Sequence, residues 1–509
     1  MVVKDFNQRA MITLAALQEI GIASLVIHGD ETVAISGIEL DSRVIDPGDL
    51  FVAIQGHQFH GVEFLEAAIT RGAVAVLTDP QGWDRLSGAA LGLPIVVIND
   101  AREHLGVIAN LVYGRAAEQL HVLGVTGTNG KTTTATMIEA GLVADGRTAA
   151  FVGTTGIRIG DVELESKRTT PEATTLHGLF EQMRKRSVTD VVMEVSSHAM
   201  SEHRVGGLHF SVVGFTNLSQ DHLDYHGSMD AYFSAKAALF TPEYATQGVV
   251  CIDDVWGERL ASSATIPVTT ISVTGKAADW QGQLLPSGDA QFTGPQGEIA
   301  QLKLALPGEF NRANALLAFV MLRCSGITQQ HVVSALEGVH VAGRLEQVAA
   351  SNGAAEVRGI VDYAHTPDAV ARVIEAVRES TQGRVIVVLG AGGDRDVTKR
   401  PIMGECAARL ADQVIVTDDN PRSEDPAVIR ASVLEGARTV SSLSGSDLLE
   451  IADRAQAIHQ AVAMANAGDV VLVLGKGHEQ GQEVNGVVSA FDDREVLNRE
   501  LGAKNEESA

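Results

Sequence analysis

Residues 124–133 of the chain read Gly124-Val125-Thr126-Gly127-Thr128-Asn129-Gly130-Lys131-Thr132-Thr133. The stretch follows a short apolar run at 121–123 and precedes a helix-like segment at about 134–144. Strand, glycine loop and helix in this order suit phosphate binding, because glycines let backbone N–H groups converge on anionic oxygens and the helix N-terminus adds its dipole. Lys131 is expected to reach the terminal phosphates of a nucleotide, and Thr132 to offer a hydroxyl to Mg²⁺. The sequence therefore predicts a nucleoside triphosphate site.

The match to the common phosphate-loop pattern has one departure. That pattern places a glycine where this chain has Val125, and the glycines here are Gly124 and Gly127 instead. The alternative is a tight strand-to-helix turn that happens to contain Gly-Lys-Thr-Thr. The order of strand, loop, lysine and helix favours the phosphate loop.

Length and charge bound the class of protein. A chain of 509 residues is too long for one core and predicts about three domains. With 45% apolar and 20% charged residues it can bury an ample core, which excludes a disordered protein. The net charge of −25 argues against nucleic acid or an anionic membrane as a partner. Anionic substrates must therefore be held by local cations.

Cysteine usage and hydropathy indicate the compartment. The three cysteines, Cys251, Cys324 and Cys406, are too scattered for a metal site or a disulfide framework, which favours a reducing cytoplasm. The N-terminal residues lack a long apolar core, and no run reaches the roughly 20 apolar residues of a membrane span. We expect a soluble, cytoplasmic monomer.

The chain is predicted to be an α/β protein of three domains. Short strand-like runs such as 50–54 alternate with helical stretches and indicate a small α/β domain at 1–107. A second α/β domain with a mainly parallel sheet is expected at 108–342. Valine-rich strands followed by glycine or acidic loops predict a doubly wound, Rossmann-like domain at 343–509. Its glycines do not form a dinucleotide-binding fingerprint.

Polar residues follow the apolar strands of the central region. Glu194 lies at the end of the apolar strand expected at 191–195, which suits a Mg²⁺ ligand beside a phosphate loop, although a strand-end glutamate is also often a solvated terminus. The segment 216–227 packs ionisable groups directly after another strand, as functional loops do. Because ligands sit beyond the carboxyl ends of parallel strands, these strand ends are expected to form one site. Residues 224–227 also fit the loose pattern of GTPase switches, but no guanine-reading motif occurs.

Several long motifs occur together and in a fixed order, and they resemble those of the Mur ligases, the ATP-dependent ligases of bacterial cell-wall synthesis. The resemblance runs from residue 41 to residue 479. The motifs are the phosphate loop, Glu194-Val195-Ser196-Ser197-His198, the segment 216–227, Asp362-Tyr363-Ala364-His365-Thr366-Pro367-Asp368, Gly392-Gly393-Asp394-Arg395-Asp396 and Gly475-Lys476-Gly477-His478-Glu479.

The resemblance implies a role for each domain and a two-step reaction. The first domain resembles a UDP-binding domain, with Ser42, His57 and Gln58 on uridine-site positions. The second resembles the family's ATPase domain, and the third carries the incoming amino acid. ATP would phosphorylate the side-chain carboxylate of D-glutamate in UDP-N-acetylmuramoyl-L-alanyl-D-glutamate, and an amino group would attack the acyl phosphate. Substrates on separate domains imply closure before chemistry.

The resemblance also implies residues for ATP and Mg²⁺. Glu194 and His222 fall on Mg²⁺-binding positions with Thr132, and Lys236 matches a lysine that the family carbamylates with CO₂, so that it becomes N6-carboxylysine, an anionic metal ligand. Catalytic roles would fall to Lys131, Lys236, Glu194 and His222. Asn311 could instead cap a helix, and Asp362 could merely end a strand. The ATP-binding positions are Gly127, Thr128, Asn129, Gly130, Lys131, Thr132, Thr133, Asn311, Asn314, Arg344 and Asp362.

The two remaining substrates would meet separate sets of residues. Glu202 stands where relatives often carry glutamine, and an added negative charge near an anionic substrate puts its direct contact in doubt. The nucleotide-sugar dipeptide positions are Thr169, Thr170, Ser196, Glu202 and Arg204, besides the uridine-site residues. The amino-acid positions are Arg395, Asp419, Asn420, Pro421, Arg422, Gly475 and Glu479.

Arg422 points to the amino acid that is added. In the family, an arginine closing Asp-Asn-Pro-Arg accompanies meso-2,6-diaminopimelate, whose second carboxylate a guanidinium can grip with two hydrogen bonds. Glu479 would face the distal ammonium. An ordinary proline turn is the alternative for 419–422. Lysine addition at the same step, a folylpolyglutamate synthase-like ligase and a non-catalytic nucleotide switch remain as other functions.

Overall fold

The computed structural model describes residues 11–56, 58–86, 92–348, 357–440 and 447–508. The predicted α/β class is confirmed, because strands and helices alternate through these residues and form three main sheets. His57, a predicted uridine-site residue, lies outside the described residues. In the part of the chain that is described, no helix combines the length and apolar character needed to cross a membrane.

The first sheet has five strands in the order β2-β7-β6-β5-β4, parallel except for β2. The predicted limit at residue 107 falls inside helix α3, whose buried side chains from Leu105 to Val112 join this sheet's core. The helix therefore continues the first domain past that limit. The elements are β1 (Ile12–Thr13), β2 (Val26–His28), β3 (Ala34–Ile35), β4 (Gly37–Glu39), β5 (Asp49–Ala53), α1 (Leu65–Arg71), β6 (Ala75–Thr78), α2 (Pro80–Leu86), β7 (Ile95–Val97) and α3 (Ala101–Val112).

The second sheet has eleven strands, in the order β11-β10-β9-β12-β8-β13-β14-β15-β16-β17-β18. Pairing is parallel from β9 to β16 and antiparallel at both edges. The elements are β8 (His121–Thr126), α4 (Lys131–Ala144), β9 (Ala149–Gly153), β10 (Gly156–Ile159), β11 (Val162–Leu164), α5 (Ala173–Lys185), β12 (Asp190–Glu194), α6 (Ser197–Ser201), β13 (Val212–Phe215), α7 (Leu223–His226), α8 (Met229–Ala237), β14 (Gly248–Cys251), α9 (Val255–Ser263), β15 (Val268–Ser272), β16 (Trp280–Leu284), β17 (Ala290–Thr293), β18 (Ile299–Leu302), α10 (Glu309–Cys324) and α11 (Gln329–Glu337).

The third sheet has six strands in the order β19-β20-β24-β21-β22-β23, parallel except for β19. Every residue of β21 and β24 is buried, as expected of valine-rich strands covered on both faces. The elements are β19 (Glu346–Val348), β20 (Arg358–Asp362), α12 (Pro367–Glu379), β21 (Val385–Leu389), α13 (Lys399–Leu410), β22 (Gln413–Val416), α14 (Pro426–Ala437), β23 (Leu448–Glu450), α15 (Arg454–Met464), β24 (Val470–Leu474), β25 (Gly481–Val484), β26 (Val487–Ala490) and α16 (Asp493–Ser508).

The strand order places the polar loops that follow several strands at the same edge of each sheet. Short 3-10 helices connect several of the other elements. In the second sheet β8 lies between β12 and β13, so the three loops that follow these strands share one edge. In the third sheet β24 and β21 are neighbours, and their loops also share an edge. The 3-10 helices span Leu14–Ile20, Ser42–Val44, Gly61–Phe64, Ala116–Gln119, Ala238–Phe240 and Pro295–Gly297.

Candidate functional site

The glycine loop between β8 and α4 is held open by neighbouring backbone and amide groups. Thr128 N donates to Asn217 O at 2.9 Å, and Asn129 N donates to Asn217 Oδ1 at 3.0 Å. Gly130 has φ +87°, and a Cβ there would lie 2.2 Å from Asn314 Oδ1, so only glycine fits. The loop therefore has a fixed shape at the N-terminus of α4, where an anion is stabilised.

Two lysines converge beneath this loop. Lys131 Nζ donates to Gly127 O at 3.0 Å and to Thr128 O at 2.9 Å, while Lys236 Nζ donates to the same Gly127 O at 2.8 Å. Burial lowers the pKa of Lys236 well below its ordinary value, and the nearby charge of Lys131 lowers it further. Two ammonium groups at one carbonyl repel each other, which disfavours a positive charge on both lysines at once.

Glu194 is a fully buried carboxylate. Its Oε1 accepts a hydrogen bond from Thr154 N at 2.8 Å and its Oε2 one from Thr154 Oγ1 at 3.1 Å. Among the described residues, none forms an ion pair with it within 4.0 Å. A buried carboxylate normally requires a compensating positive charge, so a cation at this position is chemically apt.

His222 lies beside Asp221, an acid that was not among the predicted site residues. Its Nε2 lies 3.4 Å from Asp221 Oδ2, and burial lowers the pKa of His222 to about 3, so the imidazole is neutral and keeps a lone pair for a metal. The described residues contain no cluster of three His, Cys, Asp or Glu ligands. Mg²⁺ in nucleotide sites keeps waters and phosphate oxygens as ligands, and so needs only one or two protein groups.

The residues matched to adenine and ribose come from two domains. Asn311 does not cap α10, because Gly308 is the N-cap residue; instead Asn311 Nδ2 donates to Pro307 O at 2.8 Å from inside the helix. Asp362 ends β20, and its two oxygens accept the N–H groups of Leu345 and Ala364, each at 2.7 Å. The helix-cap interpretation of Asn311 is therefore wrong, whereas the strand end at Asp362 is real but lies within the cavity described below.

Contacts across the second and third domains close the site. Arg344 donates to Thr132 Oγ1 at 3.2 Å and stacks on Tyr363 at 4.4 Å. Lys399 Nζ lies 3.4 Å from Asp221 Oδ1, with both side chains buried. Both cations come from the third domain, so Thr132 and Asp221 of the second domain have these partners only when the two domains are in contact.

The predicted dipeptide residues are arranged in two layers. Thr169, Ser196 and Arg204 line the cavity, whereas Thr170 lies behind it and donates through Oγ1 to Glu194 O at 2.9 Å. Ser196 also caps α6, because its Oγ accepts from Ala199 N at 3.1 Å. The cavity lining does not include Glu202, whose carboxylate instead accepts a hydrogen bond from the Tyr225 hydroxyl at 3.2 Å.

The third domain places the predicted amino-acid residues around a buried lysine. Lys476 is fully buried, and its Nζ donates to Asn420 Oδ1 at 2.9 Å and lies 3.3 Å from Glu479 Oε2. Asn420 Nδ2 donates to the same Glu479 oxygen at 2.9 Å. Arg422 donates through a terminal nitrogen to Gly393 O at 2.6 Å. Lys476 was missed because its motif was assigned only through its glycine and its glutamate.

Replacing Lys476 by methionine tests whether it positions this pocket. We expect the KM for the amino-acid substrate to rise on the order of tenfold, with the KM for ATP unchanged, because Asn420 and Glu479 would each lose a buried hydrogen-bond partner. Steady-state ADP release measures both constants. Lys185→Met is the control, because this lysine on α5 lies away from the pocket and pairs only with Glu181 of its own helix among the ion pairs of the described residues. An unchanged amino-acid KM in a folded variant would contradict the role.

One cavity of about 1320 Å³ joins these groups. Its lining includes Thr128, Asn129, Gly130, Lys131, Thr132, Thr133, Thr169, Glu194, Ser196, Arg204, His222, Asn311, Asn314, Arg344, Asp362, Arg395, Asp419, Asn420, Arg422, Gly475 and Glu479. The predicted residues that do not line it are Ser42, Gln58, Gly127, Thr170, Glu202, Lys236 and Pro421. Ser42 and Gln58 lie in the first domain, away from the phosphate loop.

A three-domain α/β architecture with a phosphate loop and closing cations defines a nucleotide-dependent enzyme with separate substrate domains. The family models for "Mur ligase family, catalytic domain", "Mur ligase middle domain" and "Mur ligase, glutamate ligase domain" match residues 34–113, 125–322 and 343–477. The chain belongs to the Mur ligase family. Members of this family are ATP-dependent ligases.

Individual relatives are more specific. The chain is 46% identical over 492 residues to a UDP-N-acetylmuramoyl-L-alanyl-D-glutamate--2,6-diaminopimelate ligase from Streptomyces coelicolor, covering 96% of each chain. It is 46% identical over 488 residues to the protein of the same name from Corynebacterium glutamicum, covering 94% of each. A solved structure of a ligase of that name is 32% identical, with a TM-score of 0.67, and covers 97% of this chain and 100% of its own.

Proposed function

We propose that the chain is an ATP-dependent ligase that joins meso-2,6-diaminopimelate to UDP-N-acetylmuramoyl-L-alanyl-D-glutamate in peptidoglycan precursor synthesis. ATP transfers its γ-phosphoryl group to the free side-chain carboxylate of the D-glutamate, releasing ADP. An amino group of diaminopimelate then attacks the acyl phosphate, forming the amide and releasing phosphate. The relatives named above support this assignment at nearly full length.

The observation that carries the proposal is the shared cavity. Lys131 of the phosphate loop, Arg204 of the dipeptide set and Arg422 of the amino-acid set all line it. A ligase that passes an acyl phosphate from one step to the next needs its three substrates in one enclosure, since water would hydrolyse the intermediate. A binding module for a nucleotide alone has no use for the third domain's charged pocket.

The chain's own residues supply alignment and positive charge for phosphoryl transfer. Such transfer depends more on charge neutralisation and positioning than on acid–base groups. Lys131 lies at the phosphate loop, and Arg344 of the third domain donates to Thr132. Contact between the two domains therefore completes the set of positive charges around the proposed phosphate site. Asn311 and Asn314 line the end of the cavity proposed for adenine, and Asp362 the ribose.

We further propose that Mg²⁺ is held by Thr132, Glu194 and His222, and that Lys236 carries a carbamate. The buried Glu194 carboxylate and the neutral His222 imidazole fit a cation. Bound there, Mg²⁺ would offset negative charge on the phosphates. A neutral amine is the form that reacts with CO₂, and the shared Gly127 carbonyl favours a neutral Lys236. Carbamylation would turn that amine into an anionic oxygen ligand.

Arg422 is proposed to select diaminopimelate over lysine. A guanidinium on the cavity wall can pair with the second carboxylate, which lysine lacks. Arg395, Asp419, Asn420, Pro421, Gly475 and Glu479 complete the proposed amino-acid site. Uridine is proposed to bind at Ser42, His57 and Gln58, and the dipeptide at Thr169, Thr170, Ser196 and Arg204, with Glu202 beside them.

The test is ADP release with the UDP-sugar dipeptide and a panel of amino acids. We expect meso-diaminopimelate to exceed L-lysine on the order of 10²-fold in kcat/KM. Arg422→Ala should lose activity chiefly through the KM for diaminopimelate, and Arg409→Ala, an exposed arginine on α13, is its control. Equal use of lysine would assign the lysine-adding reaction instead. Turnover with folates would indicate a folylpolyglutamate synthase-like ligase, and no turnover with any amino acid would indicate a nucleotide switch.

We propose that the protein acts in the cytoplasm. The three cysteines are free, and two of them are buried, which agrees with a reducing cytoplasm. The chain is proposed to act as a monomer, and its first domain is proposed to run to residue 112, the end of helix α3, rather than to the expected limit at residue 107. Light scattering of the purified protein measures the oligomeric state.

A further inference from the structure

A cluster of five charged side chains stands where the first domain meets the mouth of the cavity. It comprises Arg102, Arg168, Glu172, Glu202 and Arg204, called the mouth cluster from here on. Arg102 is on α3 of the first domain, and the other four belong to the second. Arg168 and Arg204 line the cavity, and the remaining three do not.

The five side chains of the mouth cluster form one connected set of ion pairs. Arg204 Nε lies 3.1 Å from Glu172 Oε1, and Arg168 lies 2.9 Å from the same oxygen. A terminal nitrogen of Arg102 lies 3.9 Å from Glu172 and 3.7 Å from Glu202, which in turn lies 4.0 Å from Arg204. Tyr225 is a further polar neighbour, whose hydroxyl donates to Glu202 at 3.2 Å.

The charge balance of the cluster depends on Arg102. Three guanidinium groups face two carboxylates, so the cluster is net positive, and without Arg102 it would be neutral. The side chains of Glu172, Glu202 and Arg204 are only 17%, 13% and 11% exposed, so solvent screens these charges weakly. The whole chain carries a net charge of −25, so its long-range field does not attract an anion to this point.

We propose that Arg102 keeps the cavity mouth positive for the anionic dipeptide end of the nucleotide-sugar substrate, by offsetting the charge of Glu202 across the domain junction. The inference rests on the function proposed above. Arg102 also donates to Gln55 O at 3.4 Å, on the loop of the first domain that precedes the uridine-site positions. A single side chain thus links the part proposed to hold uridine to the part proposed to hold the dipeptide, and it acts through Glu202 and Arg204 as a positioning residue.

Binding of UDP-N-acetylmuramoyl-L-alanyl-D-glutamate, measured calorimetrically without ATP or amino acid, tests the proposal. Arg102→Ala should weaken binding about tenfold, and Glu202→Gln should tighten it about threefold. The double variant should return to within about threefold of the unsubstituted protein, because its cluster is again net positive. Arg102→Lys should bind like the unsubstituted protein. Binding of UDP alone, which lacks the dipeptide, should be unchanged throughout.

The control is Arg323→Ala, which removes an arginine of the same exposure, 32% against 33%, from a single ion pair with Glu298. Thermal unfolding of every variant identifies any that fail to fold, and Glu202→Gln keeps the test decisive if Arg102→Ala does, because unchanged binding by Glu202→Gln would contradict the role of charge in the cluster. Loss of binding without recovery in the double variant, or an equal loss for UDP, would overturn the proposal. If the unsubstituted protein does not bind the UDP-sugar dipeptide, the proposed function fails; if it binds and Arg102→Ala binds equally, only this inference fails.

Discussion

Lys236→Ala is expected to leave the ligase nearly inactive. Lys236 is 1% exposed and donates to Gly127 O at 2.8 Å, so its amine sits directly under the phosphate loop. If it carries the proposed carbamate, the substitution removes an anionic ligand beside His222 and also a group packed at 4.7 Å over the Tyr232 ring. ADP release under saturating substrates measures the loss, which we expect to be on the order of 10³-fold.

Chemical rescue separates a lost ligand from lost packing. Acetate or formate can enter the vacated space as a short carboxylate, so either should restore part of the activity of Lys236→Ala. Lys236→Arg keeps a positive charge but cannot form the carbamate, and it should stay inactive with or without added carboxylate. Lys185→Ala is the control for removing a lysine elsewhere in the second domain. A fully active Lys236→Ala enzyme would exclude the carbamate.

Lys131→Ala is expected to lower kcat on the order of 10²-fold or more while the fold persists. The ammonium of Lys131 lies at the loop itself, where it donates to Thr128 O at 2.9 Å, and burial lowers its pKa. The Gly127 carbonyl keeps Lys236 as a donor after the substitution, so the loop should remain structured. Single-turnover phosphoryl transfer measures the loss of activity, and thermal unfolding measures whether the fold persists.

A second substitution checks that the loss comes from charge at the loop. Arg344→Ala removes the cation that reaches Thr132 from the third domain, and it should lower kcat less than Lys131→Ala because it leaves the loop's own lysine in place. Near-normal turnover by a well-folded Lys131→Ala protein would rule out the role of Lys131 in phosphoryl transfer.

Local sequence was sufficient for much of the fold. The strands Val212–Phe215, Val385–Leu389 and Val470–Leu474 are continuous apolar runs bounded by polar loops, and such runs have few solutions other than buried strands. The phosphate loop could also be predicted from sequence, because its glycines are required by the local backbone conformation. The end of the first domain was harder to predict from sequence than these elements. Helix α3 continues past residue 107 without a break in its hydrophobic pattern.

The chemical groups of the site could be read from local sequence: the phosphate loop, the acid at the end of β12, the basic and acidic residues of the third domain and the resemblance that they carry. Which of these groups meet depends on how the domains pack. Lys399 and Asp221 are 178 residues apart, Arg344 and Thr132 are 212 apart, and no local pattern links either pair. The physical reason is that a buried charge acquires its partner from packing between domains, whereas a turn or strand is specified by the residues within it.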